Sequence, residues 1–175
     1  NACVGHRKGG LAIVTVVVAC FFAAISGSGP ATVAALGGVL NPAMVNSGYS
    51  KNYASALLAS AGGIGMVIPP SIPFVIYGML AQVSVGGMFM AGIIPGLLMG
   101  VAYSIAALYG IRNDKEIVRQ EKASAATRWK TFKEAVWGLL MPVIILGGIY
   151  GGFFTPTEAA GVAVVYGLIV GIFVY

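Results

Sequence analysis

Long apolar runs separated by short polar interruptions dominate the pattern of this chain. The first two runs, at 11–25 and 31–45, each contain 15 residues, and a stretch rich in glycine and serine separates them. As a helix each run would measure about 23 Å, which is shorter than the ~30 Å hydrocarbon core of a bilayer. The pattern therefore predicts two short helices joined at a non-helical break.

The break lies at residues 25–32, which we call the polar tip. Its sequence, Ile-Ser-Gly-Ser-Gly-Pro-Ala-Thr, cannot continue a regular helix because it contains two glycines and a proline. Ser26, Ser28 and Thr32 place three hydroxyl groups in otherwise apolar surroundings. Within a bilayer, such a backbone is tolerated only where protein or a water-filled cavity surrounds it.

A second interruption lies at residues 62–73, which we call the proline loop. Three glycines and three prolines in this stretch exclude a continuous helix. The flanking runs at 53–61 and 74–80 have helical patterns, but each is too short to cross a bilayer alone. Together with the loop they predict one discontinuous transmembrane helix over 52–81.

Three more helices are predicted in the rest of the chain. One span covers 88–111 and is kinked at Pro95, and a second covers 135–154. A further helix is predicted over 159–175. The polar turn at 82–87 carries no basic residue, so we expect it on the outer side of the membrane.

Composition supports a membrane protein. The chain is 58% hydrophobic and only 9% charged, whereas soluble domains carry roughly 25% charged residues. Such a chain cannot cover a soluble surface, and the predicted fold is an all-α integral membrane protein. Because the sequence starts at Asn1 and ends inside an apolar run, we expect an internal fragment of a longer membrane subunit.

The distribution of charge predicts the topology. Residues 112–134 contain seven of the ten basic residues and four of the five acidic ones, and Arg7, Lys8 and Lys51 are the other basic residues. By the positive-inside rule the predicted cytoplasmic segments are 1–10, 46–51 and 112–134. Both outer ends of the first helix pair then lie inside, which favours a re-entrant hairpin, although two full spans remain an alternative. The net charge of +5 reflects this topology and does not indicate nucleic-acid binding.

Three regions follow from these patterns. Region 1–111 holds the hairpin, the discontinuous helix and the following span, region 112–134 is a charged cytoplasmic connection, and region 135–175 holds the further transmembrane helices. Trp129 and Phe132, like Trp137 after them, have spacings suited to the membrane interface. The alternative for this connection is a segment that docks a partner.

The residues typical of enzymes and metal sites form no recognisable pattern. His6 has no nucleophile or carboxylate near it, Cys3 and Cys20 form no metal-binding pair, and the glycines match no phosphate-binding loop. Thr155 and Glu158 have the spacing of a capping box, so Glu158 is interpreted as a helix cap and not as a proton carrier. We expect no catalytic residues, no cofactor and no metal beyond a coupling Na⁺.

The two interruptions are the candidate site. Unwound backbone in a membrane costs several kcal/mol for each unsatisfied polar group unless something binds it. Free carbonyls and hydroxyls suit Na⁺, and N–H groups near Ala31 and Thr32 at the start of the second helix suit an anion. The alternative is a pair of packing kinks without a ligand.

Five blocks of sequence resemble the large membrane subunit of TRAP (tripartite ATP-independent periplasmic) transporters, the DctM-like permeases. Residues 26–35, which begin in the polar tip, resemble the family's first hairpin tip, and residues 65–73 of the proline loop, with Tyr77 and Gly78, resemble the unwound helix after it. The other three blocks are at 91–96, 140–150 and 154–160. They occur in the family's order and cover nearly the whole chain.

This resemblance implies a secondary active transporter with an elevator-type motion of a transport domain that includes region 1–111. It implies Na⁺-coupled import of an organic anion, such as a C4-dicarboxylate or a sialic acid, across the bacterial inner membrane. The implied partners are a periplasmic substrate-binding protein and a small membrane subunit. A symporter that needs no binding protein, or a scaffold subunit that transports nothing, remains an alternative, and H⁺ coupling stays open.

The resemblance also implies roles for individual residues. A Na⁺ site would use the Ser26 hydroxyl and the carbonyls of Gly65, Ile68 and Pro70. The substrate would lie at the hairpin tip, formed by Gly27, Ser28, Gly29, Pro30 and Thr32. The chain departs from the family at 66–68, where Met-Val-Ile precedes the double proline. Local packing could differ there, while backbone carbonyls would be little affected.

Overall fold

Both predicted interruptions separate helices in the computed structural model, which describes residues 9–112, 117 and 124–174. The described elements are α1 (Gly10–Ser26), α2 (Gly29–Asn46), α3 (Lys51–Gly62), a 3₁₀ turn (Gly63–Met66), α4 (Ile72–Leu80), α5 (Val85–Gly110), α6 (Ala125–Tyr150) and α7 (Pro156–Phe173). No strand occurs among these residues, so the all-α prediction is confirmed for them. The predictions made for Cys3, His6, Arg7 and Lys8 lie outside the described residues.

Helices α1 and α2 fold back on each other as an antiparallel hairpin. At its tip the hydroxyls of Ser26 and Thr32 are 3.1 Å apart, and near its base the Thr15 hydroxyl lies 3.4 Å from the sulfur of Met44. The chain reverses because Gly27 adopts a left-handed conformation with φ of 61°, which glycine reaches without steric cost. The hairpin shape is therefore built by the polar tip.

The break predicted within 52–81 is also present. Helix α3 ends at Gly62, the 3₁₀ turn and an irregular segment over 67–71 follow, and α4 begins at Ile72. Proline removes backbone donors and restricts the residue before it, which accounts for the end of helical structure in this stretch. The Pro69–Pro70 peptide bond is cis. Helix α3 begins two residues before and ends one residue after its predicted bounds of 53–61. Helix α4 begins two residues before its predicted start at 74 and ends at Leu80, as predicted.

Helix α5 is a single 26-residue helix that continues through Pro95. It begins at Val85, three residues before the predicted start, because the Ser84 hydroxyl caps it by accepting a hydrogen bond from the N–H of Gly87 at 3.2 Å. The helix lies close to the proline loop: an alanine Cβ at position 96 would be only 2.6 Å from the side chain of Ile68. The small residue at 96 thus permits this approach.

Helix α6 begins at Ala125, ten residues before the span predicted from hydropathy. Its first turns occupy the end of the region predicted as a charged connection, while residues 113–116 and 118–123 of that region lie outside the described residues. Helix α7 starts with the predicted capping box, in which Thr155 and Glu158 exchange hydrogen bonds of 2.7 Å and 3.3 Å. The Tyr166 hydroxyl donates to the Trp137 carbonyl at 2.6 Å and joins α7 to α6.

Helix α1 lies at the centre of the packing. Its residues Ala12, Val16 and Ala19 are almost completely buried among side chains from α2, α3, the 3₁₀ turn and α5. In contrast, α5, α6 and α7 expose large apolar side chains, including Leu98 and Ile172. These three helices are long and apolar enough to cross a membrane, whereas α1 is apolar but has only 17 residues. The chain is a multi-pass membrane protein.

Close contact of the hairpin with α3 depends on a glycine at position 62. A Cβ at this position would overlap the side chain of Val33 and lie 3.2 Å from the Gly29 carbonyl oxygen. We expect Gly62→Ala to destabilise the full-length permease by about 1–3 kcal/mol through overpacking. The measurement is the thermal unfolding midpoint of the purified protein in detergent.

Gly38→Ala is the matched control for this change. Gly38 is also inside a helix, but a Cβ there would meet no atom within 4 Å. Alanine should therefore be neutral or stabilise by about 0.5–1 kcal/mol at position 38. Equal unfolding midpoints for the two variants would contradict the role assigned to Gly62.

Candidate functional site at the two helix interruptions

Hydrogen bonds between its own residues order the polar tip. Ser28 caps α2: its hydroxyl accepts from the N–H of Ala31 at 3.4 Å, and its carbonyl accepts from the Thr32 hydroxyl at 2.8 Å. The Ser26 hydroxyl accepts from the N–H of Ser28 at 3.3 Å and contacts the Thr32 hydroxyl. Thr32 is 1% exposed, whereas Ser26 and Ser28 are partly exposed, so these hydroxyls form a small polar cluster at the edge of the protein interior.

The polar tip lies directly against the proline loop. The N–H of Ile72 donates to the carbonyl of Gly27 at 3.1 Å. An alanine Cβ at position 27 would lie 2.8 Å from the Pro70 carbonyl oxygen, and one at position 65 would lie 3.1 Å from both the Ser28 carbonyl oxygen and the Thr32 hydroxyl. Glycine at 27 and 65 thus brings the two interruptions into backbone contact. We call this contact the tip–loop junction.

Carbonyl oxygens of the proline loop, including that of Pro70 beside Gly27, are candidate ligands for an ion. Within the described part of the chain, no hydrogen bond is donated to the carbonyl oxygens of Gly65, Ile68 and Pro70. Neutral oxygens from hydroxyls and carbonyls are ligands that hard cations prefer. Among the described residues, no group of three or more His, Cys, Asp or Glu side chains could hold a metal. Hydroxyl and carbonyl oxygens are therefore the groups that this part of the chain can offer to a cation.

Sequence reasoning missed Ser71, which contributes to the same region. Its side chain is 1% exposed, and its hydroxyl donates to the Met66 carbonyl at 2.6 Å. This bond joins the two ends of the irregular part of the proline loop and restrains its shape. The available signal was its place as the one hydroxyl residue of the proline loop.

The donors predicted for an anion already have partners. The N–H of Ala31 bonds the Ser28 hydroxyl, and the N–H of Thr32 bonds the Ser28 carbonyl at 3.0 Å. An anion at the start of α2 would have to compete with Ser28 for the first of these groups. An alanine Cβ at position 29 would lie 3.0 Å from the Gly62 carbonyl oxygen, and Pro30 is exposed.

A cavity of about 470 Å³ opens beside the junction. Ser26, Gly27, Pro70 and Ser71 line it on one side. The rest of its lining comes from α4, α5, α6 and α7 and is mostly apolar. The cavity gives the oxygen-rich junction an accessible face that is large enough for a small organic molecule.

Comparison with known families agrees with this architecture. The family model described as "Tripartite ATP-independent periplasmic transporter, DctM component" matches residues 1–175. The chain belongs to the DctM family. The resemblance seen in the polar tip and proline loop is thereby confirmed at the level of the family.

Several curated relatives are permeases of TRAP transporters. The chain is 52% identical to the isethionate TRAP transporter permease protein DctMQ of Oleidesulfovibrio alaskensis, with 98% of this chain and 27% of the relative covered. It is 47% identical to the C4-dicarboxylate TRAP transporter large permease protein DctM of Pseudomonas aeruginosa, covering 100% of this chain and 41% of the relative. It is 46% identical to the ectoine/5-hydroxyectoine TRAP transporter large permease protein UehC of Ruegeria pomeroyi, covering 99% of this chain and 40% of the relative. The chain thus spans less than half the length of each of these relatives.

Replacement of Gly27 tests the tip–loop junction. Gly27→Ala places a Cβ in a left-handed residue, which costs about 1–2 kcal/mol, and pushes it against the backbone of Pro70. We expect a clear fall in the unfolding midpoint of the full-length DctM-family permease, with loss of its transport activity.

Gly152→Ala separates the two effects. Gly152 has φ of 73°, close to that of Gly27, but a Cβ there would meet no atom within 4 Å. Only the conformational cost should remain at 152. If both variants lost the same amount of stability and activity, contact between tip and loop would not be the reason that position 27 needs glycine.

Proposed function

We propose that this chain is part of the transport domain of a TRAP-type permease, which imports an organic anion by secondary active transport coupled to Na⁺. Membership of the DctM family supports a transport role. The observation that carries the Na⁺ proposal is the tip–loop junction, where two broken helices bring together hydroxyls and carbonyls without a charged side chain. Transporters use such broken helices to bind ions and substrates near the bilayer midplane.

In this proposal Na⁺ binds between the polar tip and the proline loop. Its ligands are the Ser26 hydroxyl and the carbonyls of Gly65, Ile68 and Pro70. Ser26 can turn from Thr32 to the ion, and Thr32 keeps its bond to the Ser28 carbonyl. The Na⁺ charge would supply the interaction that the three carbonyl oxygens lack among the described residues, so binding would offset the cost of unwound backbone in the membrane.

The absence of acidic groups near the junction supports Na⁺ in preference to H⁺. Proton-coupled carriers generally use carboxylates or histidines as proton carriers inside the membrane. Among the described residues the acidic side chains are Glu134 and Glu158, and neither lines the cavity. Glu158 is exposed and forms the cap of α7.

The anion is proposed to bind beside the ion, at the face of the polar tip that includes Ser28 and Thr32. Bound Na⁺ would provide the positive charge that this neutral site lacks. The relatives are named for isethionate, C4-dicarboxylates and ectoine. Family membership therefore leaves the substrate open, and we assign much of the choice to a periplasmic binding protein that delivers it.

The hairpin is proposed to be re-entrant and to move as part of an elevator-type transport domain. Helix α1 would measure only about 26 Å at 1.5 Å per residue, less than the ~30 Å hydrocarbon core. We place the base of the hairpin, which includes residues 46–51, on the cytoplasmic side, together with residues 1–10 and 112–134. A small membrane subunit completes the assembly in the bacterial inner membrane, in keeping with a tripartite system.

Ser26→Ala tests the ion site. Loss of one ligand oxygen should weaken apparent Na⁺ affinity at least about tenfold, equivalent to roughly 1.4 kcal/mol. The measurement is Na⁺-dependent uptake by the full-length permease in proteoliposomes with its small subunit and binding protein, across a range of Na⁺ concentrations.

Ser104→Ala is the control, because Ser104 also bonds a backbone carbonyl, that of Gly100 at 2.8 Å, but lies away from the junction on α5. It should leave the Na⁺ dependence unchanged. Wild-type Na⁺ dependence in Ser26→Ala would rule out the assigned ligand. Uptake that proceeds equally without the binding protein would instead contradict the proposed delivery route.

A further inference from the structure

The first turns of α6 carry an exposed cluster of aromatic and basic side chains. The rings of Trp129 and Phe132 stack with centroids 5.8 Å apart, and the Lys133 ammonium lies 5.7 Å from the Trp129 ring centroid. Trp129 and Phe132 are 61% and 51% exposed, and Lys130 is exposed beside them. We call residues 129–133 the aromatic–lysine cluster.

The packing of α6 places this cluster at the base of the hairpin. Pro142 of α6 lines a cavity together with Val16 and Cys20 of α1, while Ile145 lies beside the polar tip. The two helices therefore run in the same direction. At 1.5 Å per residue Trp129 lies about 20 Å from Pro142, and Gly10 about 15 Å from Cys20. The cluster reaches the level at which α1 begins, or slightly beyond it.

Other cations lie at the same end of the molecule. Lys51 starts α3 and Arg112 follows α5, and these two helix ends are held together by the Tyr53 hydroxyl, which donates to the Ala107 carbonyl at 2.7 Å. All lysine and arginine side chains that the structure describes are thus at this end. Among the described residues in the first turns of α6 the acidic side chain is Glu134. Basic side chains therefore outnumber acidic ones at this end of the described structure.

We propose that the aromatic–lysine cluster binds the headgroups of anionic phospholipids. The cluster lies in the polar first turns of α6, and Trp129–Tyr150 is long and apolar enough to cross a membrane, so we infer that the cluster lies where this helix meets water. Stacked rings suit the interfacial zone, since they are apolar with one polar handle. Lysines at this level attract the negative headgroups of the inner leaflet.

The geometry favours lipid over a soluble partner. The two exposed rings lie next to the Lys133 ammonium, with Lys130 exposed in the same turn, which matches a phosphate headgroup joined to acyl chains. A soluble anion would use the lysines but would leave the rings in water. The binding is independent of the transported substrate, because the cluster is about 18–24 Å along α6 from Ile145 beside the polar tip.

The test uses the full-length permease with its small subunit, purified in detergent and titrated with phosphatidylglycerol or phosphatidylcholine. Bound lipid is counted by native mass spectrometry. Wild type should prefer phosphatidylglycerol, and Lys130→Gln/Lys133→Gln should weaken its binding by about 25-fold, or about fivefold for each cation. Lys130→Arg/Lys133→Arg should retain binding. Trp129→Ala should weaken the binding of both lipids.

Lys51→Gln is the matched control, because it removes a cation from the same end of the molecule but outside the cluster. It should retain the phosphatidylglycerol preference. Wild-type affinity in the double glutamine variant would overturn the proposal. The proposal would also be overturned if that variant lost the small subunit while its phosphatidylglycerol binding stayed unchanged. The cluster would then be a protein interface.

Discussion

The approach of the Gly27 carbonyl to the Ile72 N–H is the contact on which the candidate site depends. The polar tip and the proline loop each leave backbone groups outside helical hydrogen bonding, which is costly at membrane depth. Placed against each other, they satisfy part of this need: Ile72 bonds Gly27, and Ser71 bonds Met66. The carbonyl oxygens of Gly65, Ile68 and Pro70 accept no hydrogen bond among the described residues, and these are the groups that the proposed cation would engage.

Glycine residues at several positions make this contact possible. Gly27 supplies the turn, Gly65 lets the loop approach Ser28 and Thr32, and Gly62 lets α3 approach α2. On the far side of the loop, Gly96 admits Ile68 against α5. The loop is thus enclosed between the hairpin and a long continuous helix. Such packing leaves little room for side chains, which is consistent with a site made mainly of backbone.

Local features of the sequence predicted most of the elements. Dense glycine and proline identified both interruptions, and the Thr155–Glu158 spacing identified the start of α7, because these signals act over a few residues. The start of α6 was predicted ten residues late, since hydropathy recognises only its apolar part. A kink was predicted at Pro95, and α5 continues through this residue as one helix. Neighbouring helices can stabilise a proline within a span. The tip–loop junction and the burial of Ser71 are tertiary facts, and a single sequence carries no direct signal of either.

The most direct test of the central claim, that the two interruptions form one Na⁺ site, is hydrogen–deuterium exchange on the full-length permease. Exchange of peptides covering 25–32 and 62–73 should be compared in Na⁺ and in K⁺ at equal ionic strength. The account predicts that Na⁺ slows exchange in both segments over the same concentration range, because one ion orders both. Protection of neither segment, or of one without the other, would contradict it.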